Sequence, residues 1–128
     1  MKEKGQEIKI DIKTPEEILR DTSSQFKSLD FQATKAITEK NGNLFRQKLQ
    51  ERAQIIVGLP LKIQKSINNG NSFSEPDMED IEHMSLLAKE ALESKSDFRL
   101  GSFLESKGSS LDDPNYLDEL IDRLYPSE

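Results

Sequence analysis

The chain contains no cysteine and no tryptophan, and its 128 residues include a single histidine. The lack of cysteine excludes disulfides, thiolate nucleophiles and cysteine-based zinc or iron–sulfur sites, and it is compatible with a reducing compartment. One histidine cannot supply the paired Glu-x-x-His motifs of a carboxylate-bridged di-iron bundle. The sequence therefore predicts no cofactor and leaves little room for catalytic chemistry.

Long apolar runs are also missing. No stretch approaches the roughly 20 apolar residues of a membrane-spanning helix, and the first seven residues carry charges where a signal peptide needs an apolar segment. We therefore expect a cytoplasmic protein that does not associate with membranes. Hydrophobic residues make up 34% of the chain and charged residues 33%, yet Ile, Leu, Phe and Val recur throughout, which argues against disorder and for one domain with a thin core.

The net charge of −6 hides a strong asymmetry between the two parts of the chain. Residues 1–74 hold 13 Lys and Arg against 9 Asp and Glu, net +4, whereas residues 75–128 hold 5 against 15, net −10. Such a division can mark a surface that binds a partner, or it can be satisfied internally if the basic part packs on the acidic part. The sequence leaves both interpretations open.

Helix-start signals and apolar stripes predict an all-α fold, an irregular bundle of about five to seven short helices within residues 14–128. Thr14-Pro15-Glu16-Glu17 forms a capping box with proline at the first helical position, and Ser74 and Asp113 are similar caps. The first helix is expected to end near residue 27, and Asp30 is expected to cap a short second helix.

The middle of the chain contains three further helical segments in this interpretation. Asn43 is the expected cap of a helix from Leu44 to about Val57, whose residues Arg46, Lys48 and Arg52 should point largely away from its apolar face. The Gly58-Leu59-Pro60 break is expected to use the positive φ that glycine permits and to start the next helix. Residues 98–104 fit either a short helix, which we favour, or a strand.

Residues 7–13 alternate apolar and charged side chains and predict a short N-terminal strand or arm. A strand needs hydrogen-bonding partners for its backbone. Four possibilities remain open: Ile8–Ile12 could pair with residues 98–104, pair with the same segment of a second protomer in a homodimer, extend the sheet of a partner, or be a frayed terminus.

The leading functional hypothesis is a non-enzymatic interaction or regulatory protein, such as a small inhibitor, immunity-type factor or adaptor. Its acidic carboxyl-terminal part would bind another protein that has a basic surface. The residues expected to carry this interaction are acidic and lie in two segments of the sequence: Glu75, Asp77, Glu79, Asp80, Glu82, Asp112, Asp118, Glu119 and Asp122.

A first alternative is a nucleic-acid-associated factor. Residues 35–65 are rich in basic side chains, and two helices joined by a tight turn resemble a helix-turn-helix in outline. The candidate phosphate-binding residues are Arg46, Lys48, Arg52, Lys62 and Lys65. The acidic remainder of the chain would repel phosphate at long range, which makes this alternative weaker.

A second alternative is a metal-binding or enzymatic protein centred on His83. On a helix, Glu79 and Asp80 would lie on the same face as this histidine and could form part of a metal site. Adjacent carboxylates are expected in any acidic chain, and no nucleophile or phosphate-binding loop accompanies them. We therefore predict no catalytic residues and no metal site.

Overall fold

The computed structural model describes residues 13–104 and 116–126. These residues form six α-helices and no strand, so the predicted all-α bundle is confirmed. The helices are α1 (Pro15–Thr38), α2 (Gly42–Val57), α3 (Leu59–Asn68), α4 (Glu75–Ser94), α5 (Asp97–Ser102) and α6 (Tyr116–Leu124).

The start of α1 follows the predicted capping box. The Thr14 hydroxyl accepts a hydrogen bond from the Glu17 amide at 3.2 Å, and the Glu17 carboxylate accepts one from the Thr14 amide at 2.9 Å. Pro15 occupies the first helical position, where a missing amide proton costs nothing. Local side-chain chemistry therefore supplies the hydrogen bonds that cap this helix start.

The expected end of the first helix near residue 27 is wrong, because α1 continues to Thr38. Asp30 is not a cap but lies within this helix, where its carboxylate is held by Arg52 of α2. Ser23, four residues before the expected end, is also engaged, since its hydroxyl donates to Asp118 of α6 at 2.7 Å. Tertiary partners thus occupy polar side chains on both sides of the expected end.

Two further predicted boundaries need correction. The cap of α2 is Asn41, whose side chain accepts from the Leu44 amide at 3.1 Å, and not Asn43; Lys40, with a φ of 59°, provides the left-handed turn before it. Gly58 separates α2 from α3 with a φ of −83°, so the break does not use positive φ. Instead, Pro60 has no amide proton with which to continue α2.

The remaining helices follow the sequence prediction more closely. Ser74 caps α4 by accepting from the Asp77 amide at 3.2 Å, and residues 97–102 are helical, so pairing of a strand there with Ile8–Ile12 is excluded. The predicted N-terminal strand or arm over residues 7–13 lies outside the described residues except for Lys13, and the Asp113 cap lies outside them as well.

The core lies around α2, which packs on α1 and on α4, and α3, α5 and α6 close it. Its fully buried large side chains come from all six helices or their ends: Leu19, Ile56, Leu59, Ile63, Ile81, Leu100, Leu104 and Leu117. Burial of each such side chain contributes about 1.5–3 kcal/mol. α1 packs most extensively on α2, and α6 rests on α1 beside α4.

Candidate functional site

The two acidic segments of the sequence converge where α6 docks beside the first half of α4. Arg123 of α6 makes this connection, because its guanidinium donates to Asp77 at 3.0 Å and to Asp80 at 3.2 Å. Asp77 is also in the first turn of α4, where a carboxylate interacts favourably with the helix dipole. One arginine of α6 thus ties its acidic segment to the acidic segment of α4, more than 40 positions away in the sequence.

A cleft of about 440 Å³ lies between these helices, and we call it the acidic cleft. Its lining comes from α4 and α6: Asp80, His83, Met84, Tyr116, Glu119, Leu120 and Arg123. Met84 and Leu120 are buried and form an apolar floor, whereas Tyr116 is 41% exposed at the rim. The cleft therefore combines an apolar base with carboxylates around its opening.

The surface around the acidic cleft is strongly negative. Residues 75–83 and 116–124 hold eight Asp and Glu, and Arg123 is their only basic residue. Arg123 is shared between two carboxylates, so it neutralises only part of this charge. Glu79, one turn from His83, and Asp122, one turn from Glu119, are exposed carboxylates next to the lining. Glu75 and Glu82 are also exposed on α4 but do not line the cleft.

Of the nine acids predicted to bind a partner, only Asp80 and Glu119 line the cleft in the part of the chain that the structure describes. Asp118 is half-buried against α1, where Ser23 donates to it at 2.7 Å and the Lys27 ammonium lies 3.4 Å away. Asp77 is largely covered and pairs with Arg123. These two carboxylates fix α6 to the bundle, so part of the charge asymmetry is satisfied internally. Asp112 lies outside the described residues.

His83 lines the acidic cleft and is exposed. In the described part of the chain, no hydrogen bond to a carboxylate orients its imidazole, and no three His, Asp or Glu side chains are placed to hold a metal ion. An unoriented imidazole at a rim is poorly suited to acid–base catalysis, which needs a defined tautomer and direction. The geometry therefore gives the metal or enzyme alternative no support.

The five basic residues of the nucleic-acid alternative do not form one surface. Arg46 is held by both oxygens of Asp97, at 2.9 and 3.2 Å, and Lys48 lies 3.4 Å from Glu51. Arg52 is buried rather than directed away from the apolar face. Only Lys62 and Lys65 remain exposed with no ion-pair partner among the described residues.

Those two lysines line a second cleft of about 300 Å³ between α1 and α3, which we call the lysine cleft. Its other lining residues are Lys13, Ile18, Asp21, Thr22 and Gln25. Sequence reasoning missed this site because Lys13 lies about fifty residues from Lys62, and only tertiary packing of α1 on α3 brings them together.

The burial of Arg52 is the largest departure from the sequence prediction. Its side chain is 3% exposed, it pairs with Asp30, and it donates to the Leu100 carbonyl at 2.6 Å. The guanidinium carbon lies 4.5 Å from the centre of the Phe26 ring and 5.8 Å from that of Phe103. Burial raises the pKa of Asp30, since desolvation of its carboxylate outweighs the attraction of the guanidinium.

The helical spacing around Arg52 contained a signal for this burial. Arg52 follows Leu49 by three positions and precedes Ile56 by four, so all three share one face of α2. Leu49 and Ile56 are core residues, and a charged residue between them must either snorkel outwards or find a buried partner.

None of the described helices is both long enough and apolar enough to cross a membrane. No protein-family model matches the chain, and searches of curated proteins and of solved structures gave no match either. The function is therefore inferred from the geometry alone.

Proposed function

We propose that the protein is a non-enzymatic interaction protein that uses the acidic cleft to bind a basic segment of another protein. The observation that carries this proposal is the combination of an apolar floor, Met84 and Leu120, with an acidic rim in one cleft. The lack of cysteine suits a cytoplasmic setting for such an interaction.

The chemistry of a lysine or arginine side chain matches this cleft. Both side chains have an aliphatic stem that packs on apolar surface while the charged head stays near water or a carboxylate. The stem would lie on Met84 and Leu120, and the head would reach Asp80 at the rim. The half-exposed ring of Tyr116 offers a cation a favourable face.

The negative surface around the cleft supports recognition of a basic partner at longer range. Glu79, Glu82 and Asp122 are exposed carboxylates without an ion-pair partner among the residues that the structure describes. Charges of this kind accelerate encounter with an oppositely charged partner, and the effect falls with ionic strength. They contribute steering and specificity more than affinity.

Capture from native lysate with three immobilised proteins tests the proposal. The wild type is compared with a cleft variant, Asp80→Asn/Glu119→Gln/Asp122→Asn, which removes both carboxylates of the cleft lining and one beside it, and with a control variant, Glu39→Gln/Glu90→Gln/Glu93→Gln. Each variant removes three exposed carboxylates, so the net charge changes equally. Lysates are treated with nuclease first, which removes partners that bind through nucleic acid.

We expect the wild type and the control variant to retain the same basic protein at about 0.15 M salt, where charges beyond about 8 Å are screened. The cleft variant should retain at least about tenfold less of it. Equal retention by the cleft variant and the wild type, or no retention by any of the three proteins at low salt, would overturn the proposal.

A further inference from the structure

The lysine cleft has a charge opposite to that of the acidic cleft, and it points to a ligand of a different kind. Lys13, Lys62 and Lys65 surround it, and Asp21 is the one carboxylate in its lining, so the lining has a net charge of +2. We infer that this cleft binds the dianion of a small phosphate, either inorganic phosphate or the phosphate monoester of a small molecule. Such a group carries a charge of about −1.5 to −2 at neutral pH, which matches the lining.

The position of Lys13 in this cleft is set by a buried hydrogen-bond chain. The Ser66 hydroxyl, which is fully buried, donates to the Lys13 carbonyl at 2.7 Å. The Asn71 side-chain amide in turn donates to the Ser66 hydroxyl at 2.9 Å. These bonds join the segment before α1 to α3, so the three lysines are held on walls that are fixed relative to one another.

The lysines differ in what they offer an anion. The Lys13 ammonium pairs with Asp21, and the hydrogen bond to this carboxylate raises the pKa of Lys13 and keeps the ammonium protonated. Lys62 and Lys65 have no carboxylate partner in the described part of the chain, so their ammonium groups are available as donors. They lie three positions apart on α3 and therefore face the same side of that helix.

Two polar side chains of α1 define the opposite wall. The Thr22 hydroxyl donates to the Ile18 carbonyl at 2.7 Å, so its proton is already used. The Gln25 amide is exposed and makes no hydrogen bond with any described residue, which leaves two further donors facing the cleft. The donor set is therefore two free ammonium groups and one amide.

A small phosphate fits this arrangement better than a nucleic acid does. A nucleic-acid surface needs basic residues along a continuous track that follows the phosphate backbone. Arg46, Lys48 and Arg52 are paired with carboxylates elsewhere on the protein and do not extend the cleft. Of the five basic residues considered for nucleic-acid binding, only Lys62 and Lys65 lack a carboxylate partner in the described part of the chain, and both line this one cleft.

Titration of ¹⁵N-labelled wild-type protein with inorganic phosphate, followed by NMR, tests this inference at constant ionic strength set with chloride. The amides of residues 13, 22, 25 and 62–66 should shift together and saturate with phosphate. Methyl phosphate is titrated in parallel to distinguish free phosphate from a monoester, and a short DNA duplex is the third probe.

Variants localise the binding. Lys62→Gln/Lys65→Gln should bind phosphate about tenfold more weakly, since it removes two charge-assisted contacts that each resemble an exposed ion pair. The matched control Lys35→Gln/Lys89→Gln also removes two exposed lysines and should bind like the wild type. Because all four lysines are exposed, circular dichroism should show both variants folded.

Three results would overturn the inference. They are chemical-shift changes scattered over the surface without saturation, equal weakening in both variants, and binding of the DNA duplex at this cleft with no response to either small phosphate. The first result needs no variant, so the inference remains testable even if a variant does not fold.

Discussion

Replacing Arg52 with alanine should destabilise the protein far more than the same change at Arg46. Both arginines belong to α2 and both pair with an aspartate, but the Arg52 side chain is 3% exposed whereas that of Arg46 is 54% exposed. Arg52→Ala removes the ion pair with Asp30, the hydrogen bond to the Leu100 carbonyl and the contact with the Phe26 ring. It also leaves a cavity among these groups.

The expected loss in the free energy of unfolding depends on the Asp30 carboxylate, which Arg52→Ala leaves without its partner. Removal of one partner from a buried ion pair costs about 3–5 kcal/mol, because the other charge stays desolvated. Asp30 keeps partial access to water, its side chain being 21% exposed, so we expect the lower part of that range, about 3–4 kcal/mol. A loss of this size lowers the melting temperature of a chain this long by about 10 °C or more.

Urea denaturation followed by circular dichroism measures the free energy of unfolding of wild type, Arg52→Ala and Arg46→Ala. Arg52→Met is included because it keeps an apolar stem against Phe26 while removing the charge, and its loss should fall between those of the two alanine variants. If Arg46→Ala lost as much stability as Arg52→Ala, burial of the guanidinium would not be the source of the effect.

Two further predictions concern α1. Thr14→Ala removes the capping hydroxyl and should lower the free energy of unfolding by about 1 kcal/mol. Ser24→Ala, at an exposed position of the same helix, should be neutral or slightly stabilising. Equal effects of the two substitutions would contradict the capping argument. Burial raises the pKa of Asp30 above its value near 3.8 in the unfolded chain. The contribution of this group to stability is therefore fully present below pH 3.8, and it is lost as the pH rises through the pKa of the folded state. The advantage of wild type over Asp30→Asn should therefore grow as the pH falls from about 7 towards about 4, and an advantage that shrinks over this range would show the opposite shift.

Features that depend on neighbours in the chain were predictable from the sequence. The capping box at Thr14, the cap at Ser74 and the helical choice for residues 98–104 all follow from side chains within one or two turns. The concentration of acids around α4 and α6 was equally visible, since charge counts need no geometry.

Features that depend on distant partners were not predictable in this way. The continuity of α1 through Asp30 requires Arg52, which lies 22 positions away, and the engagement of Asp118 requires Ser23, which lies 95 positions away. No local spacing encodes such pairs. The same limit explains why the sequence leaves open whether the charge asymmetry marks a binding surface or is satisfied internally; the structure shows that several of those charges hold the helices together.

The first half of α1 lies between the lysine cleft and α6, whose other side lines the acidic cleft. Asp21 and Gln25 face the lysine cleft, while Ser23 and Lys27 face α6, and two positions along a helix correspond to about 200° around its axis. The acidic cleft lies between α6 and α4, so at least the width of α1, roughly 10 Å, separates it from the lysine cleft. This separation exceeds the Debye length of about 8 Å at physiological ionic strength. At physiological ionic strength, a charged partner bound at one cleft therefore interacts mainly with the charges of that cleft. In dilute buffer the two fields merge into that of a molecule with charge −6, which repels anions. Lowering the salt should thus strengthen the attraction of a cation monotonically, whereas the affinity of the lysine cleft for an anion should pass through an optimum.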